Sequence, residues 1–353
     1  MDRIVLTGVG PLTPIGKEKE DFWNAVVNNF PGIKKITKFM PDHEFYGGEI
    51  NDINFDEYIP GTKFRRAAEI SKFTMSAAKM AMDDAQVDSS NIKNLGLVVG
   101  LTHGALNYTQ SYHELLVTEG PESASPILFS DSILNAPAGN TSICLGIHGP
   151  VHTLIGGSVT TIRAIMLAVQ LLATKKMEKS VIASAEELNE FSLYCYYKLG
   201  IKTLSEGAGA LLIEPEDTKN NQDPYCYISG FASQTNPSNL QSALEESVET
   251  ALKKANLKAK DVDLLMTSPS FPKVQPLDAY EIPMGSLDSI TGNAFAVSTI
   301  WNIILSALCI RHGAIPSPIL KNSAPINNEI RNVMICATER EGVAGVLILS
   351  KIS

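Results

Sequence analysis

The stretch that decides the fold is Gly149–Lys176, which reads GPVHTLIGGSVTTIRAIMLAVQLLATKK. From residue 162 to residue 172, only Arg163 and Gln170 are not apolar, so apolar side chains cover nearly the whole circumference of a helix. A helix of this kind is buried inside a domain rather than laid on its surface. We therefore predict a short extended segment, a sharp turn at Gly156 and Gly157, and then a buried central helix.

Ser158 follows the two glycines and stands where this helix should begin. Its hydroxyl can cap the free N–H groups of the first helical turn, and we predict that role. Enzymes also place nucleophiles at such a position, because the helix dipole favours an anion there. A chemical role for Ser158 is therefore the alternative.

The composition is that of an ordinary globular protein and excludes several classes. The chain has 353 residues, of which 44% are hydrophobic and 19% charged, which is enough for a substantial core. A net charge of −9 without a run of Lys or Arg argues against a nucleic-acid partner. No apolar run approaches the roughly 20 residues that a membrane span needs. The first residues, MDRIVLTGVG, read as a strand and a turn rather than a signal peptide.

The cysteines and histidines do not form a metal or disulfide pattern. The five cysteines are scattered and odd in number, at positions Cys144, Cys195, Cys226, Cys309 and Cys336. This usage favours a reducing cytoplasm, and we predict neither a metal nor a cofactor. For each of the six histidines we expect a surface or structural role; they are His43, His103, His113, His148, His152 and His312.

Strands and helices alternate along the chain, which indicates an α/β protein. We predict strands at Arg3–Leu6, Leu95–Gly100, Ser180–Ala185, Gly207–Ile213 and Val343–Leu349. Helices are expected at Lys17–Val27 and Arg65–Gln86. We expect an irregular stretch at Leu101–Ala136 and a connection between lobes at Glu214–Pro224.

The second half of the chain repeats the first in outline. Ala78–Gly100 and Glu249–Pro269 each read as a helix, a polar connector and an apolar strand. The turn and helix at Gly156–Gln170 have a counterpart at Gly292–Ile310. We predict two similar halves, residues 1–216 and 217–353, with the two buried helices side by side between two sheets, in five αβαβα layers.

Several motifs in order carry a family resemblance. RIVLTGVGPLTPIG at residues 3–16 comes first, followed by LGLVVG at residues 95–100. SPILFSDSILNAPAG at residues 125–139, GP at residues 149–150 and SEGAGALLIEPE at residues 205–216 complete the series. Over nearly its whole length the chain resembles the β-ketoacyl-acyl-carrier-protein synthases of the thiolase superfamily. The resemblance implies a five-layered thiolase-like fold.

The same resemblance implies that the catalytic set is lost. Condensing members use a Cys at the helix start, two His and a Lys. Aligned on the motifs, Ser158 stands for the Cys, Ser268 for the first His, Asp288 for the Lys and Asn293 for the second His. The Gly- and Phe-rich loop of the family becomes ATEREG at Ala337–Gly342. We therefore expect no ordinary condensing activity.

Degenerate relatives in this family, called chain-length factors, pair with an active ketosynthase and close the end of its acyl tunnel. The resemblance implies such a heterodimer, or a homodimer, paired through the strand Pro150–Ile155. It places Tyr108, Thr109, Tyr112 and Leu128 at the tunnel and interface. Because this chain is acidic, as carrier proteins are, we expect acyl carrier protein to dock mainly on the partner.

Two alternatives stay open. The chain could be an acyltransferase or hydrolase that uses Ser158 as nucleophile, with a base from His148, His152 or Asp288. It could also be a homodimeric pseudoenzyme with a structural or ligand-sensing role.

Overall fold

The computed structural model describes residues 3–39, 44–59, 61–88, 90, 93–216, 223–267, 281–326 and 329–352. The strands in these ranges are β1 Ile4–Leu12, β2 Ile33–Lys35, β3 Tyr46–Gly48, β4 Leu95–Leu101, β5 Val151–Ile155, β6 Lys179–Glu186, β7 Thr203–Ser205, β8 Gly207–Pro215, β9 Cys226–Thr235, β10 Leu264–Thr267, β11 Met284–Gly285, β12 Asn332–Glu339 and β13 Val343–Ser350. The helices are α1 Lys19–Val27, α2 Glu69–Asp84, α3 Leu106–Glu119, α4 Pro126–Ser132, α5 Ala136–Leu145, α6 Thr160–Ala173, α7 Glu190–Lys198, α8 Leu240–Ala255, α9 Asp288–Thr291 and α10 Ala296–His312.

The main sheet shows the internal duplication directly. Its order is β5-β4-β6-β8-β1 in the first half and β9-β13-β12-β10-β11 in the second. We number the five strands of each half by their order along the chain: β1, β4, β5, β6 and β8 in the first half, and β9 to β13 in the second. In both halves the first strand pairs antiparallel with the fifth, and the fifth pairs antiparallel with the fourth. The fourth strand pairs in parallel with the second, and the second pairs in parallel with the third. The two five-stranded halves meet where β1 pairs with β9, at two residue pairs in the described structure. The repeat read from the sequence is therefore confirmed, while the boundary at residues 216 and 217 stays a prediction.

Two buried helices lie in the layer between the two halves of the sheet. Helices α6 and α10 lie in one apolar cluster with residues from strands of both halves. Helix α10 is buried from Ala296 to Ile310, and the Trp301 indole N–H donates to the Ala208 carbonyl oxygen at 2.8 Å. On the outer faces, α2 and α5 cover the first half and α8 covers the second. The predicted five-layered αβαβα arrangement is confirmed.

The expectation of an irregular stretch at Leu101–Ala136 is wrong, because α3 and α4 lie within it. Within the described chain, no α3 side chain is fully buried, so the helix lacks the apolar stripe that would announce it. Its polar side chains bond back along the helix instead, as Thr109 does to the Ala105 carbonyl and Thr118 to the Glu114 carbonyl. The amino-acid composition of such a helix is like that of a loop.

None of the helices in the described ranges combines the length and the apolar character needed to cross a bilayer.

Candidate functional site

A cavity of about 650 Å³ lies where the carboxyl ends of β4 and β5 meet the beginnings of α6 and α10. Carboxyl ends of neighbouring parallel strands share one edge of a sheet, so residues that follow them come together. The described residues that line the cavity are Thr102, His103, Gly156, Gly157, Ser158, Tyr196, Leu199, Ile201, Asn293, Phe295, Thr338, Glu339, Arg340 and Glu341. They come from five separate segments of the chain.

The Gly156–Gly157 turn is predicted correctly, and both glycines are needed for close packing. A Cβ on Gly156 would lie 2.5 Å from Thr160 Oγ1. A Cβ on Gly157 would lie 3.0 Å from the carboxyl carbon of Glu339. A side chain at either position would therefore displace its neighbours.

The beginning of α6 differs from the prediction that Ser158 caps it. The residue at the cap position is Val159, and no side-chain capping bond is made there in the described structure. Instead, the Val159 N–H donates to Glu339 Oε1 at 2.8 Å, across 180 residues of sequence. The capping role of Ser158 is therefore wrong, because the carboxylate of Glu339, the last residue of β12, satisfies the helix end. An ionised acceptor also suits the positive end of the helix dipole better than a hydroxyl.

Glu339 is held in a partly buried position, and burial raises its pKa above the ordinary value. The N–H groups of Val159 and Gly157 and the guanidinium of Arg163 oppose this shift by favouring the charged form. The carboxylate thus occupies the first turn of α6 beside Ser158. Its position could not be read from the sequence, because ATEREG contains two glutamates and nothing local says which one turns inward.

His103 stands on the opposite wall, between two fixed partners. Its Nδ1 lies 2.9 Å from Glu186 Oε2, and its Nε2 lies 2.7 Å from the Tyr196 hydroxyl. Glu186 is only 2% exposed and also accepts the N–H of Thr102 at 2.5 Å. An ionised carboxylate only accepts, so we assign the proton to Nδ1, which leaves Nε2 to accept the Tyr196 hydroxyl. Burial, and then the nearby Glu186, raise the pKa of Tyr196, which keeps that hydroxyl protonated.

Three rings form one wall of the cavity. The Phe295 ring lies 5.0 Å from His103 and 4.8 Å from Tyr196, measured between centroids. Phe295 has φ 50° and ψ −115°, a conformation that L-residues rarely adopt. Strain of this kind persists only where the surroundings impose it, and it is concentrated at functional sites.

The structure brings together only part of the predicted degenerate set. Ser158 and Asn293 both line the cavity, and Asn293 Oδ1 accepts the Phe295 N–H at 2.9 Å. Asp288 is not among the described lining residues and instead pairs with Lys321 at 3.2 Å. Ser268 lies outside the described residues. His148 and His152, named as bases for the alternative reaction, are not among the described lining residues either.

The proposed tunnel residues lie apart from this cavity, on α3 and α4. The Tyr108 hydroxyl donates to the Arg66 carbonyl oxygen at 2.5 Å, and the Tyr112 ring lies 5.7 Å from Phe129. Thr109 bonds to its own helix, and Leu128 is half-buried. Whether these four side chains face a partner's tunnel stays a prediction.

An apolar surface, here called the edge patch, runs over β5, α5 and α4. Strand β5 is the outermost strand, and in the described structure it pairs with β4 alone. Val151 and Ile155 are 38% and 46% exposed on it. The edge patch comprises the exposed apolar residues Ile127, Phe129, Ile133, Leu134, Ile143, Val151 and Ile155. Exposed apolar surface beside the open edge of a strand is typical of an interaction site.

Sequence reasoning missed the roles of His103, Glu186, Tyr196 and Glu339. One signal was available for His103, since it lies two residues past the end of the apolar strand Leu95–Leu101. A polar residue just past the carboxyl end of a buried parallel strand is at the usual place for a site. The other three residues become neighbours of the cavity only through tertiary packing.

Comparison with known proteins extends over the whole chain. Residues 1–206 match the family model "Beta-ketoacyl synthase, N-terminal domain". The chain is 23% identical to the 3-oxoacyl-[acyl-carrier-protein] synthase 2 of Coxiella burnetii over 411 aligned positions, covering 99% of each chain. It is 30% identical to the protein of the same name in Synechocystis over 152 positions, 42% of this chain and 36% of that one.

Two solved structures have the same fold. One is described as the ishigamide ketosynthase/chain length factor, with a TM-score of 0.90, 17% identity and full coverage of both chains. The other is a type II polyketide synthase acyl carrier protein in complex with its ketosynthase bound to the hexaketide. Its TM-score is 0.82 at 19% identity, with 99% of this chain and all of that chain covered. At these identities the likeness establishes the fold.

Proposed function

Because this chain belongs to the β-ketoacyl synthase family, we propose that it is a non-condensing subunit of the chain-length-factor type. In this role it pairs with an active ketosynthase of type II fatty acid or polyketide synthesis. The partner supplies the nucleophile and the acid–base groups, while this chain contributes shape.

The observation that carries the proposal is the carboxylate of Glu339 at the beginning of α6. Acyl transfer at Ser158 would create an oxyanion that needs free, preorganised N–H donors close by. Here the Val159 N–H is already bound to Glu339, whose negative charge would face the developing oxyanion. Loss of a single oxyanion donor costs about 10²–10³ in rate, before any like-charge repulsion is added.

The residues around this carboxylate agree with the proposal. A serine hydroxyl replaces a thiol at residue 158, and an amide replaces an imidazole at residue 293. The Asn293 side-chain oxygen accepts the Phe295 N–H. A serine without an adjacent base is a weak nucleophile. The described cavity therefore offers a shaped space without a condensing set.

The edge patch supports a partner at β5. An edge strand with exposed apolar neighbours can pair antiparallel with the equivalent strand of a second subunit across a two-fold or pseudo-two-fold axis. Obligate pairs of this kind typically bury more than ~2,000 Å². A net charge of −9 leaves docking of acidic acyl carrier protein mainly to the partner.

We also propose that the protein works in a reducing cytoplasm. All five cysteines are free thiols, and burial raises the pKa of Cys226, Cys309 and Cys336 far above the ordinary value. Such thiols are unreactive and behave as small apolar core residues.

Reconstitution tests the proposal. The purified chain alone and the chain mixed with an active type II ketosynthase are each given acyl- and malonyl-carrier-protein thioesters, and 3-ketoacyl products are measured by mass spectrometry. We expect no product from the chain alone, and a stable complex with the ketosynthase by light scattering. A 3-ketoacyl product from the chain alone, lost in Ser158→Ala, would overturn it. A homodimer that ignores the ketosynthase would support the homodimeric pseudoenzyme instead.

One observation favours the hydrolase or acyltransferase alternative. His103, oriented by Glu186, lies in the same cavity as Ser158, which is the set of residue types that nucleophilic catalysis uses. Its Nε2, however, is bound to Tyr196 and is not free to take a proton from Ser158. A fluorophosphonate probe distinguishes the two functions: we expect no label, and a label that disappears in Ser158→Ala would favour the hydrolase.

A further inference from the structure

We propose that the cavity between β4, α6 and α10 is a binding site for a small neutral aromatic ligand of the phenol or naphthol class. Its volume of about 650 Å³ lies within the range of small-molecule sites, about 300–1,000 Å³. The proposal goes beyond the pairing function, since it concerns a ligand that this chain binds by itself.

The wall of rings gives the site its preference for aromatic ligands. His103, Tyr196 and Phe295 lie with centroids 4.8–5.4 Å apart, in tilted and edge-on arrangements that leave ring surface for a further partner. Leu199 and Ile201 continue this wall as aliphatic surface. The unusual backbone conformation of Phe295 places a large ring where an unstrained chain would not put one.

The charges of the site exclude an anion. Glu339 already occupies the positive end of α6, which is the natural place for a ligand carboxylate. Glu341 lines the same side, and Glu186 stands behind His103. Arg340 is the one Lys or Arg among the described lining residues, and it is exposed, so that water screens its charge. A ligand carboxylate would therefore meet like charge where it would otherwise bind.

A polar group for a ligand hydroxyl is also present. Thr102 Oγ1 is buried at the cavity wall and has no hydrogen-bond partner in the described structure. An unsatisfied buried hydroxyl costs free energy that a bound donor would recover. Because Oγ1 is buried in the unliganded chain, a phenolic O–H would reach it after a rotation of the Thr102 side chain about χ1, with the ligand ring against Phe295 and Tyr196.

A pair of nearly isosteric probes tests the proposal. Binding of 2-naphthol and of 2-naphthoate to the full chain is measured by isothermal titration calorimetry at pH 7.5. We expect 2-naphthol to bind at least about tenfold more tightly than 2-naphthoate. In Glu339→Gln, we expect this preference to fall to about threefold or less, because the repelling charge is gone.

Ring variants locate the ligand. Phe295→Ala should weaken 2-naphthol binding at least about tenfold, whereas the matched control Phe191→Ala should leave it unchanged. Phe191 is 69% exposed on α7 and is not among the described lining residues. If Phe295→Ala does not fold, Phe295→Leu removes the ring at nearly constant volume and should also weaken binding.

Three results would overturn the proposal: no binding of 2-naphthol to the wild-type chain, equal or tighter binding of 2-naphthoate, or equal losses in Phe295→Ala and Phe191→Ala. The titrations need no ketosynthase and no thioester. Failure of this site is therefore distinguishable from failure of the proposed pairing function.

Discussion

Glu339 is the residue on which the proposed loss of condensing activity depends. Its carboxylate satisfies the Val159 N–H and lies against Gly157, so α6 is capped from the second half of the molecule. Helix capping of this kind contributes about 0.5–2 kcal/mol to stability. The same contact places a negative charge beside Ser158, where the oxyanion of acyl transfer would add a second negative charge. Under the proposed function, stability and inactivity thus come from one side chain.

Phe295 yields a prediction about backbone strain. Replacement of a residue by Gly normally costs about 0.5–1 kcal/mol more than replacement by Ala, but φ 50° with ψ −115° is far easier for Gly. We expect Phe295→Gly to be about 1 kcal/mol more stable than Phe295→Ala in urea unfolding. The control pair is Tyr196→Gly and Tyr196→Ala, inside α7, where Ala should be the more stable. The ordinary order at residue 295 would show that the strain is absent.

Glu187 yields a prediction about pH. Burial raises its pKa to about 7, against the N–H groups of Asn107 and Ile70 that favour the charged form. The folded state therefore takes up a proton that the unfolded state has lost. Protonated Glu187 thus contributes to the free energy of unfolding. The contribution is fully present below pH ~4.5, and up to about 3 kcal/mol of it is lost as the pH rises through 7.

Urea unfolding at pH 5 and pH 8 tests this, with Glu187→Gln as the variant. Its stability should fall less between the two pH values than that of the wild type. Glu190→Gln, at an exposed position on α7, should keep the wild-type difference. An unchanged difference in Glu187→Gln would contradict the assignment.

At the scale of elements, β5 is the strand through which we propose that the chain associates. Gly156 N–H donates to the Leu101 carbonyl oxygen at 3.0 Å, and the Pro150 carbonyl oxygen accepts the Leu97 N–H at 2.9 Å. Main-chain groups alternate in direction along a strand, so the groups of Thr153, at an odd-numbered position, face the open edge. Those groups are available to a second subunit.

Thr153→Pro should therefore weaken association with little cost to the folded chain. Proline removes an N–H that faces outward and leaves the bonds to β4 in place. We expect the dissociation constant of the homodimer or heterodimer to rise at least about tenfold by analytical ultracentrifugation, while circular dichroism stays unchanged. Thr153→Val keeps the N–H and should associate like the wild type. If the Thr153→Pro variant associates as tightly as the wild type, the interface does not include β5.

At the scale of the whole molecule, the duplication separates the stability of the core from the residues of the cavity. The two halves bury α6 and α10 between them in one core. The cavity lies only at the beginnings of these two helices. Changes at the cavity therefore leave most of the buried apolar area untouched. Substitutions at the cavity can therefore change its chemistry while the fold is kept.

The proposed tunnel role predicts product length. In the reconstituted heterodimer, Leu128→Ala and Tyr108→Ala should lengthen the acyl product and Thr109→Phe should shorten it, because each methylene admitted or refused is worth about 0.8 kcal/mol. Product length is measured by mass spectrometry. Activity should persist in all three variants, since the partner carries the catalytic groups. A product distribution that ignores all three, in an intact heterodimer, would place this chain outside the tunnel.

Sequence patterns alone predict the α/β class, the buried central helix, the two-fold repeat and the five layers. These follow from local periods and from self-similarity, which one-dimensional reading detects well. Ser158 and Asn293, chosen from the motif alignment, both line the cavity, while their assignment as degenerate catalytic positions stays a prediction. Sequence patterns fail at α3 and α4, whose half-exposed side chains carry no apolar period.

Only the tertiary structure decided what the cavity contains. Glu339 meets Val159 across 180 residues, and His103 meets Glu186 across 83. No local pattern specifies which of several acidic side chains turns inward, since that choice depends on the space and the free N–H groups that distant segments provide. The cap on α6 came from Glu339 and not from Ser158 for this reason: a charged acceptor in reach of a helix end binds it more strongly than a neighbouring hydroxyl.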